Sequence, residues 1–412
     1  MKILITVSTY YPKNDGVQNV TQYLAEGLCK LGNDVTVITS NRGEKIKEEC
    51  HNGVKIKRIN LYTKFGFYFG NKKEYKKVIK DEANKCDVMI NVCTQNAFTD
   101  VILKKIGSYN CKKILYMHGM FDFKFSCVDF SNLESFINKI WKEFRWFVYY
   151  LINGRNFRKY DNIIQLHEKD YANIFFRKKY NINSKIINNA ASEEFFNLKC
   201  DQNFSKPFNK YIIQVANYSN VKNQKIAIRE FLKSNIDENI GLVLIGSQKN
   251  KYYSNLEKYI KRIRKVRHLN DNIKPIKMLY GIERKEIVKY ISNAELYIMT
   301  SKKEVYPMSL VETMSVGVPY LSTDVGIVRY FLGGIISKEK DFHYWIKEIL
   351  TNENMRECLS KLSLIYAKKH FKIEDKIEIL AKICKWRRKF NGIKNIWKAL
   401  WRRIVYFFSY II

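Results

Sequence analysis

Two carboxylates eight positions apart, Glu304 and Glu312, stand in the run Ser301-Lys-Lys-Glu-Val-Tyr-Pro-Met-Ser-Leu-Val-Glu-Thr-Met-Ser-Val-Gly317-Val-Pro319. Glu304 falls in a loop behind a short apolar strand. Glu312 falls about two turns further on, inside the helix that follows. Carboxylates are strong acceptors for hydroxyl groups, and hydroxyls are what a sugar offers. Between the two acids, behind Pro307, the backbone N–H groups of Met308, Ser309 and Leu310 open the helix. A helix N-terminus carries roughly +0.5 of an elementary charge and suits a diphosphate. Either acid alone would be an ordinary residue on a solvated face. Together with the helix start, the pair would fit a nucleotide sugar.

Such residues need a scaffold that ends strands beside helix starts. Lys2–Ser8 is a short apolar, β-branched run and reads as a buried strand. After the turn Pro12–Gly16, Val20–Leu31 has helical spacing, Gly32-Asn33 ends it, and Val35–Thr39 is the next strand. This is a βαβ unit, so the sheet is parallel. The pattern continues with strands at Val88–Val92, Ile114–Met117 and Asn162–Leu166, and helices at Phe98–Ile106 and Lys169–Phe176. The polar stretch 201–210 around Pro207 reads as a linker. Alternation then restarts, with strands at Tyr211–Val215, Leu242–Ile245, Ile276–Leu279, Leu296–Met299 and Tyr320–Ser322. Helices fall at Ile226–Leu232, Tyr252–Lys265, Lys285–Ile291 and Ser309–Val316. The expected fold class is α/β, with two doubly wound parallel-sheet domains, 1–205 and 206–370, facing a central cleft. A crossover helix, 371–385, and a tail, 386–412, complete the chain. In such sheets ligands bind at the carboxyl ends of strands.

The Glu304–Gly317 segment resembles the signature of family 4 glycosyltransferases, which have two Rossmann-like domains in the arrangement called GT-B. Ser322-Thr-Asp-Val-Gly326 fits the same pattern. The resemblance implies that Glu304 holds the donor sugar near its reacting carbon and that Glu312 holds the ribose of the nucleotide. Tyr211-Ile-Ile-Gln-Val-Ala-Asn217-Tyr-Ser-Asn-Val-Lys222-Asn223 is similar to the family's first C-terminal strand and its "G-R-x-x-x-x-K-G" loop. Lys222 matches the lysine that pairs with the donor phosphates; Asn217 stands where the family has arginine, so one usual cation is missing. In the N-terminal domain, Tyr116-Met-His118-Gly119 resembles the "HG" whose histidine lies by the sugar, and Asp15-Gly16 resembles the glycine loop behind the first strand. Ile186-Ile-Asn-Asn-Ala190 resembles the "N-G" landmark at the end of that domain. The family works with retention and without a metal, so no metal and no cofactor beyond the nucleotide-sugar substrate is expected. The catalytic set implied is Glu304, His118 and Lys222. The donor contacts implied add Gly16, Asn217, Pro307, Met308, Ser309, Leu310 and Glu312.

The chain's 412 residues carry 73 Lys+Arg against 40 Asp+Glu, a formal net charge of +33. That attracts polyanions: nucleic acid, anionic lipid or phosphorylated substrates. The nine cysteines are odd in number and none has CxxC spacing, which reads as reduced packing thiols. The tail 386–412 interleaves Lys and Arg with Trp386, Trp397 and Trp401 and ends apolar, as a helix lying in a lipid interface would. Ile140–Ile152 is a second basic aromatic stretch, equally suited to packing inside the N-terminal domain. The expectation is a cytoplasmic enzyme, peripheral on an anionic membrane, acting on a lipid-linked or glycan acceptor. A catalytically silent nucleotide- or glycan-binding protein of the same fold stays open on Asn217. A nucleic-acid-binding protein stays open on charge alone, without a recognisable module.

Overall fold

The computed structural model describes residues 1–12, 16–41, 46–120, 130, 133–197, 204–266 and 274–385. Asp15 and the tail 386–412, with the lipid contact expected there, lie outside these residues. The first half runs β1 (Lys2–Thr6), α1 (Gly16–Lys30), β2 (Asp34–Ser40), β3 (Glu48–His51), β4 (Val54–Ile59), β5 (Leu61–Lys64), β6 (Phe67–Gly70), α2 (Lys72–Ala83), β7 (Val88–Val92), α3 (Ala97–Leu103), β8 (Lys112–Tyr116), α4 (Leu133–Phe157), β9 (Asn162–Gln165), α5 (Tyr171–Tyr180) and β10 (Lys185–Ile186). The second half runs β11 (Lys210–Val215), α6 (Gln224–Lys233), β12 (Ile240–Gly246), α7 (Lys251–Val266), β13 (Ile276–Tyr280), α8 (Arg284–Ser292), β14 (Leu296–Met299), α9 (Met308–Ser315), β15 (Tyr320–Ser322), β16 (Gly334–Ile336), α10 (Phe342–Thr351), α11 (Glu353–His370) and α12 (Ile373–Lys385).

The α/β class with two parallel sheets is as the sequence predicts. The first sheet has the order β10-β9-β8-β7-β1-β2-β4-β3, parallel except for β3 at its edge. The second has the order β13-β12-β11-β14-β15-β16, parallel throughout. Helices cover both faces, which is why strands such as β7 and β12 are buried along their whole length and read as unbroken apolar runs. The strand order reverses between β1 and β7, and again between β11 and β14. Loops leaving those strands diverge and leave a crevice at each switch point.

Helical periodicity misplaces several boundaries. The helix expected over Phe98–Ile106 stops at Leu103, and a 3-10 turn takes Ile106–Ser108. The expected helix at Lys169 begins at Tyr171, where the Asp170 carboxylate accepts the Ala172 N–H. Between 46 and 83 the sequence reading leaves a gap, which the structure fills with β3, β4, the β5–β6 hairpin and α2. The stretch 140–152 is part of the longer α4, whose inner face buries Trp146, Tyr150 and Phe157.

The two halves share one apolar core. It runs from Ile5 and Tyr116 of the first sheet to Tyr306 and Leu310, before and in α9 of the second half, and to Phe371 beside α12. The chain returns to the first half through α12, whose Ile377 side chain lies so close over Gly27 of α1 that a Cβ there would overlap it. The Ala191 N–H donates to the Phe371 carbonyl at 3.0 Å, and Asn189 Nδ2 donates to the Tyr306 carbonyl at 3.3 Å. Among the described residues, no helix is long and apolar enough to cross a membrane.

A buried carboxyl ties the hairpin to α4. Asp100 of α3 accepts a hydrogen bond from Tyr149 Oη at 2.5 Å and another from Tyr68 of β6. Burial pushes its pKa up from 3.8 to about 7, against the lowering effect of these bonds. An acid raised in the native state binds more protons folded than unfolded, so stability is highest in acid and falls as pH rises from about 4 to about 7. That loss should be roughly 4 kcal/mol at most. Urea titrations across this range should show the slope, and Asp100→Asn should flatten it.

Candidate active site

The site is built where β11 and β14 lie side by side. Gln214 and Thr300 are buried polar residues at the ends of these strands. Gln214 Nε2 donates to the Lys222 carbonyl at 3.1 Å, and Thr300 Oγ1 donates to the carbonyls of Lys222 and Asn223 at 3.2 and 3.0 Å. These bonds fix the loop behind β11. Asn223 sits in the left-handed region at φ 56°, where the family has glycine; asparagine is among the few other residues that adopt it readily. Held this way, Lys222 reaches across to Glu304, and Nζ meets Oε1 at 2.5 Å.

Glu304 is carried on the loop behind β14, and two glycines let other backbone come close to that loop. Gly326 has φ +57°, and a Cβ there would lie 2.5 Å from the Val305 carbonyl oxygen. Gly119 has φ +101°, and a Cβ there would lie 2.8 Å from the Val305 side chain. Gly119 belongs to the first half, so the His118-Gly119 segment faces the Glu304 loop across the cleft. His118 stacks on Tyr116 with ring centroids 5.0 Å apart. Part of its surface stays accessible, yet the surrounding protein disfavours the charged form and pushes its pKa down to about 3. At neutral pH it is a neutral imidazole, able to orient a hydroxyl but not to serve as a cationic acid.

Pro307 precedes α9, and no side chain caps the helix. The first-turn N–H groups of Met308, Ser309 and Leu310 therefore keep the positive end of the helix open to an acceptor from outside. Pro307 and Leu310 are buried, so they act through backbone shape and a backbone N–H rather than through side chains. Ser309 Oγ accepts from Tyr297 Oη at 2.7 Å, and the same hydroxyl reaches the Val215 carbonyl at 3.1 Å. Gly16 is not in a free loop, as the sequence suggested. It is the first residue of α1, and its Cβ position lies 4.0 Å from Met308 Cγ. The openings of α1 and α9 thus meet across the cleft.

Glu312 is buried on α9 and pairs with Arg284 at the start of α8. Burial raises the Glu312 pKa, and the guanidinium works against that rise. Asn217 lies exposed behind β11, with its backbone carbonyl accepting from Gln224 Nε2 at 3.1 Å. The sequence reading missed Arg284, Gln214, Thr300 and Tyr297. Gln214 and Thr300 could have been found as polar residues ending apolar strands. Arg284 follows a strand end at Tyr280-Gly281, but nothing in sequence ties it to an acid 28 positions on.

Comparison with known proteins gives the same assignment. The profile described as "Glycosyl transferases group 1" matches residues 199–362. That described as "Glycosyltransferase Family 4" matches 14–168. The chain is a group 1 glycosyltransferase of the GT-B type. Among solved structures, this glycosyltransferase resembles sucrose-phosphate synthase from Thermosynechococcus elongatus (TM-score 0.68, 12% identity, covering 93% of this chain and 98% of that one). It also resembles Anabaena HepE in complex with UDP-glucose (TM-score 0.65, 13% identity, 93% and 99%) and a glycosyltransferase from Rickettsia africae (TM-score 0.65, 13% identity, 93% and 97%). At these identities the likeness is one of fold. No curated protein matches the chain.

The two ion pairs make unequal demands on stability. Arg284→Ala strands a buried carboxylate and should cost about 3 kcal/mol in chemical denaturation. Lys222→Ala should cost less, because the Glu304 side chain keeps 11% of its surface in solvent against 6% for Glu312. For the enzyme, the neutral His118 predicts a kcat/KM profile with no histidine inflection between about pH 5 and 8. A limb near the ordinary histidine value that disappears in His118→Asn would contradict this assignment.

Proposed function

We propose that this glycosyltransferase moves a sugar from a nucleotide-sugar donor to a hydroxyl of a lipid-linked or glycan acceptor, with retention at the anomeric carbon. A surface polysaccharide or cell-envelope glycoconjugate is the product class this reading favours. The observation that carries it is the meeting of Lys222 and Glu304 at 2.5 Å, at the switch point and near the open end of α9. A cation, a carboxylate and a helix N-terminus in one crevice suit a diphosphate joined to a sugar. The UDP-glucose bound by HepE, a protein of similar fold, makes UDP-sugars the first donors to try.

In this scheme the acceptor hydroxyl attacks the anomeric carbon on the face from which the diphosphate departs. The new C–O bond forms as the carbon–phosphate-oxygen bond breaks, and the departing phosphate oxygen takes the acceptor's proton. Glu304 and neutral His118 orient the sugar. Lys222, whose ammonium has three donors, can bridge Glu304 and the phosphates. With the N–H groups of Met308, Ser309 and Leu310 it stabilises the charge that grows on the leaving group. Arg284 favours the ionised Glu312, which then accepts from ribose hydroxyls. No metal takes part in this scheme; the positive charge comes from Lys222 and α9. Gly16 and Asn217 line the donor's approach, with Asn217 offering hydrogen bonds in place of charge. Contact between the basic aromatic tail 386–412 and an anionic membrane belongs to the same reading, since it would bring the enzyme to a lipid-linked acceptor.

A thermal-shift screen against UDP-, GDP- and ADP-sugars tests the donor. A true donor at 100 times its dissociation constant adds about 2.7 kcal/mol of stability. Glu304→Ala and Lys222→Ala should each lower transfer by about 10²–10³-fold while the chain stays folded. No shift with any nucleotide sugar, or full transfer by either variant, would sink the proposal.

A further inference from the structure

Helix α4 is apolar on two opposite faces. Its inner face packs into the N-terminal core through Trp146, Tyr150 and Phe157. Its outer face carries Leu133, Ile137, Ile140, Phe144, Phe147 and Leu151 at intervals of three or four residues, each 46–73% exposed. Trp141 and Ile152 widen this stripe on one side, to about 140° of the helix circumference at 100° per residue. A folded monomer gains nothing from leaving so broad an apolar stripe in water, and such patches mark interaction surfaces.

The β5–β6 hairpin extends the patch. At its turn Phe65 is 82% exposed and Phe67 57%. The hairpin is tied to α4, because Arg145 Nη1 donates to the Phe65 carbonyl at 2.9 Å and the guanidinium lies over Gly66 and the Trp146 ring. The segments that carry the surface are basic. Residues 61–80 and 133–157 hold ten Lys and Arg against three Asp and Glu. Lys72, Lys73 and Lys76 stand exposed directly behind the hairpin.

We propose that the outer face of α4 and the tip of the β5–β6 hairpin form a docking surface for an anionic lipid bilayer. Large aromatic and aliphatic side chains beside basic ones are what an interfacial helix uses, the rings entering the headgroup region and the cations meeting lipid phosphates. A plane can cover the helix stripe and the neighbouring hairpin together. A second copy of the chain fits less well: the stripe is wider than the narrow seam of a helix pair, and two surfaces of the same positive sign repel. A shared core joins the surface to the site, since Met117 and Met120, on either side of His118-Gly119, pack in the same cluster as Tyr150 and Phe157 of α4. Docking here would seat the acceptor side of the cleft at the headgroups. The inference shares the membrane part of the function proposed above, but rests on a surface separate from 386–412.

The test is co-sedimentation with vesicles of equal parts phosphatidylglycerol and phosphatidylcholine, against phosphatidylcholine alone. It uses the full chain and a chain ending at Lys385, each as parent and as Ile137→Ser/Phe144→Ser. Both parents should partition to the anionic vesicles, and the double substitution should lower the partition coefficient at least tenfold at both lengths. The thermal midpoint and the thermal shift with UDP-glucose should stay as in the parents, because the changed side chains are exposed and are not among the donor contacts. Unchanged partitioning of the double variant would overturn the proposal. So would binding by the full chain but not by the shorter one, which would assign the contact to the tail. A parent dimer in light scattering that the double variant turns into a monomer would place a second copy on this face and overturn it as well. Loss of the UDP-glucose shift in the parent would count against the donor reading and leave the vesicle result standing by itself.

Discussion

A carboxylate withdrawn from water is costly unless a cation stands beside it, and the candidate site meets that demand twice. Glu304 is met by Lys222, and Glu312 by Arg284. The two acids belong to one short segment, while their partners come from the loop behind β11 and from the start of α8. Each pair therefore closes only when the parallel strands lie in the right order. Lys222 stands where it does because Gln214 and Thr300, on neighbouring strands, hold its loop by the backbone. The electrostatics of the site thus depend on two neutral side chains that touch none of the charges.

The first half completes the site by approach rather than by charge. Gly119 comes against the Val305 side chain, and Gly16 comes near that of Met308, so the two halves converge where the first half has no side chain of its own. That convergence is held from behind. The return of α12 onto α1, the bond from Ala191 to Phe371 and the apolar core running through both halves set how far the cleft can open. A neutral His118 on one wall and the open end of α9 on the other divide the work: one side shapes the sugar's surroundings, the other carries positive charge.

The sequence made the chemistry of the second half legible because it is local. Glu304, Pro307, the first turn of α9 and Glu312 lie within a dozen residues, and strand, loop and helix can be read from their spacing. Lys222 was legible through its register behind β11, whereas the left-handed turn at Asn223 came only from the structure. The 46–83 region was not legible. Its strands are short, β3 and β6 fully bury none of their residues, and neither gives the unbroken apolar signal of the central strands. Helix α4 was left open for the opposite reason: it is apolar on both faces, and periodicity alone does not say which face turns inward.

By itself, then, the sequence determined the alternation of strands and helices, the two-part α/β organisation and the acid pair flanking a helix start, because each depends on neighbours within a few turns of chain. Only the tertiary structure decided that Lys222 and Arg284 are the cations for those acids. The same holds for the meeting of His118-Gly119 with the Glu304 loop, and for the outward turn of one apolar face of α4. These are contacts between residues far apart in sequence. Their energies depend on distance and burial, and those quantities exist only once the chain has folded.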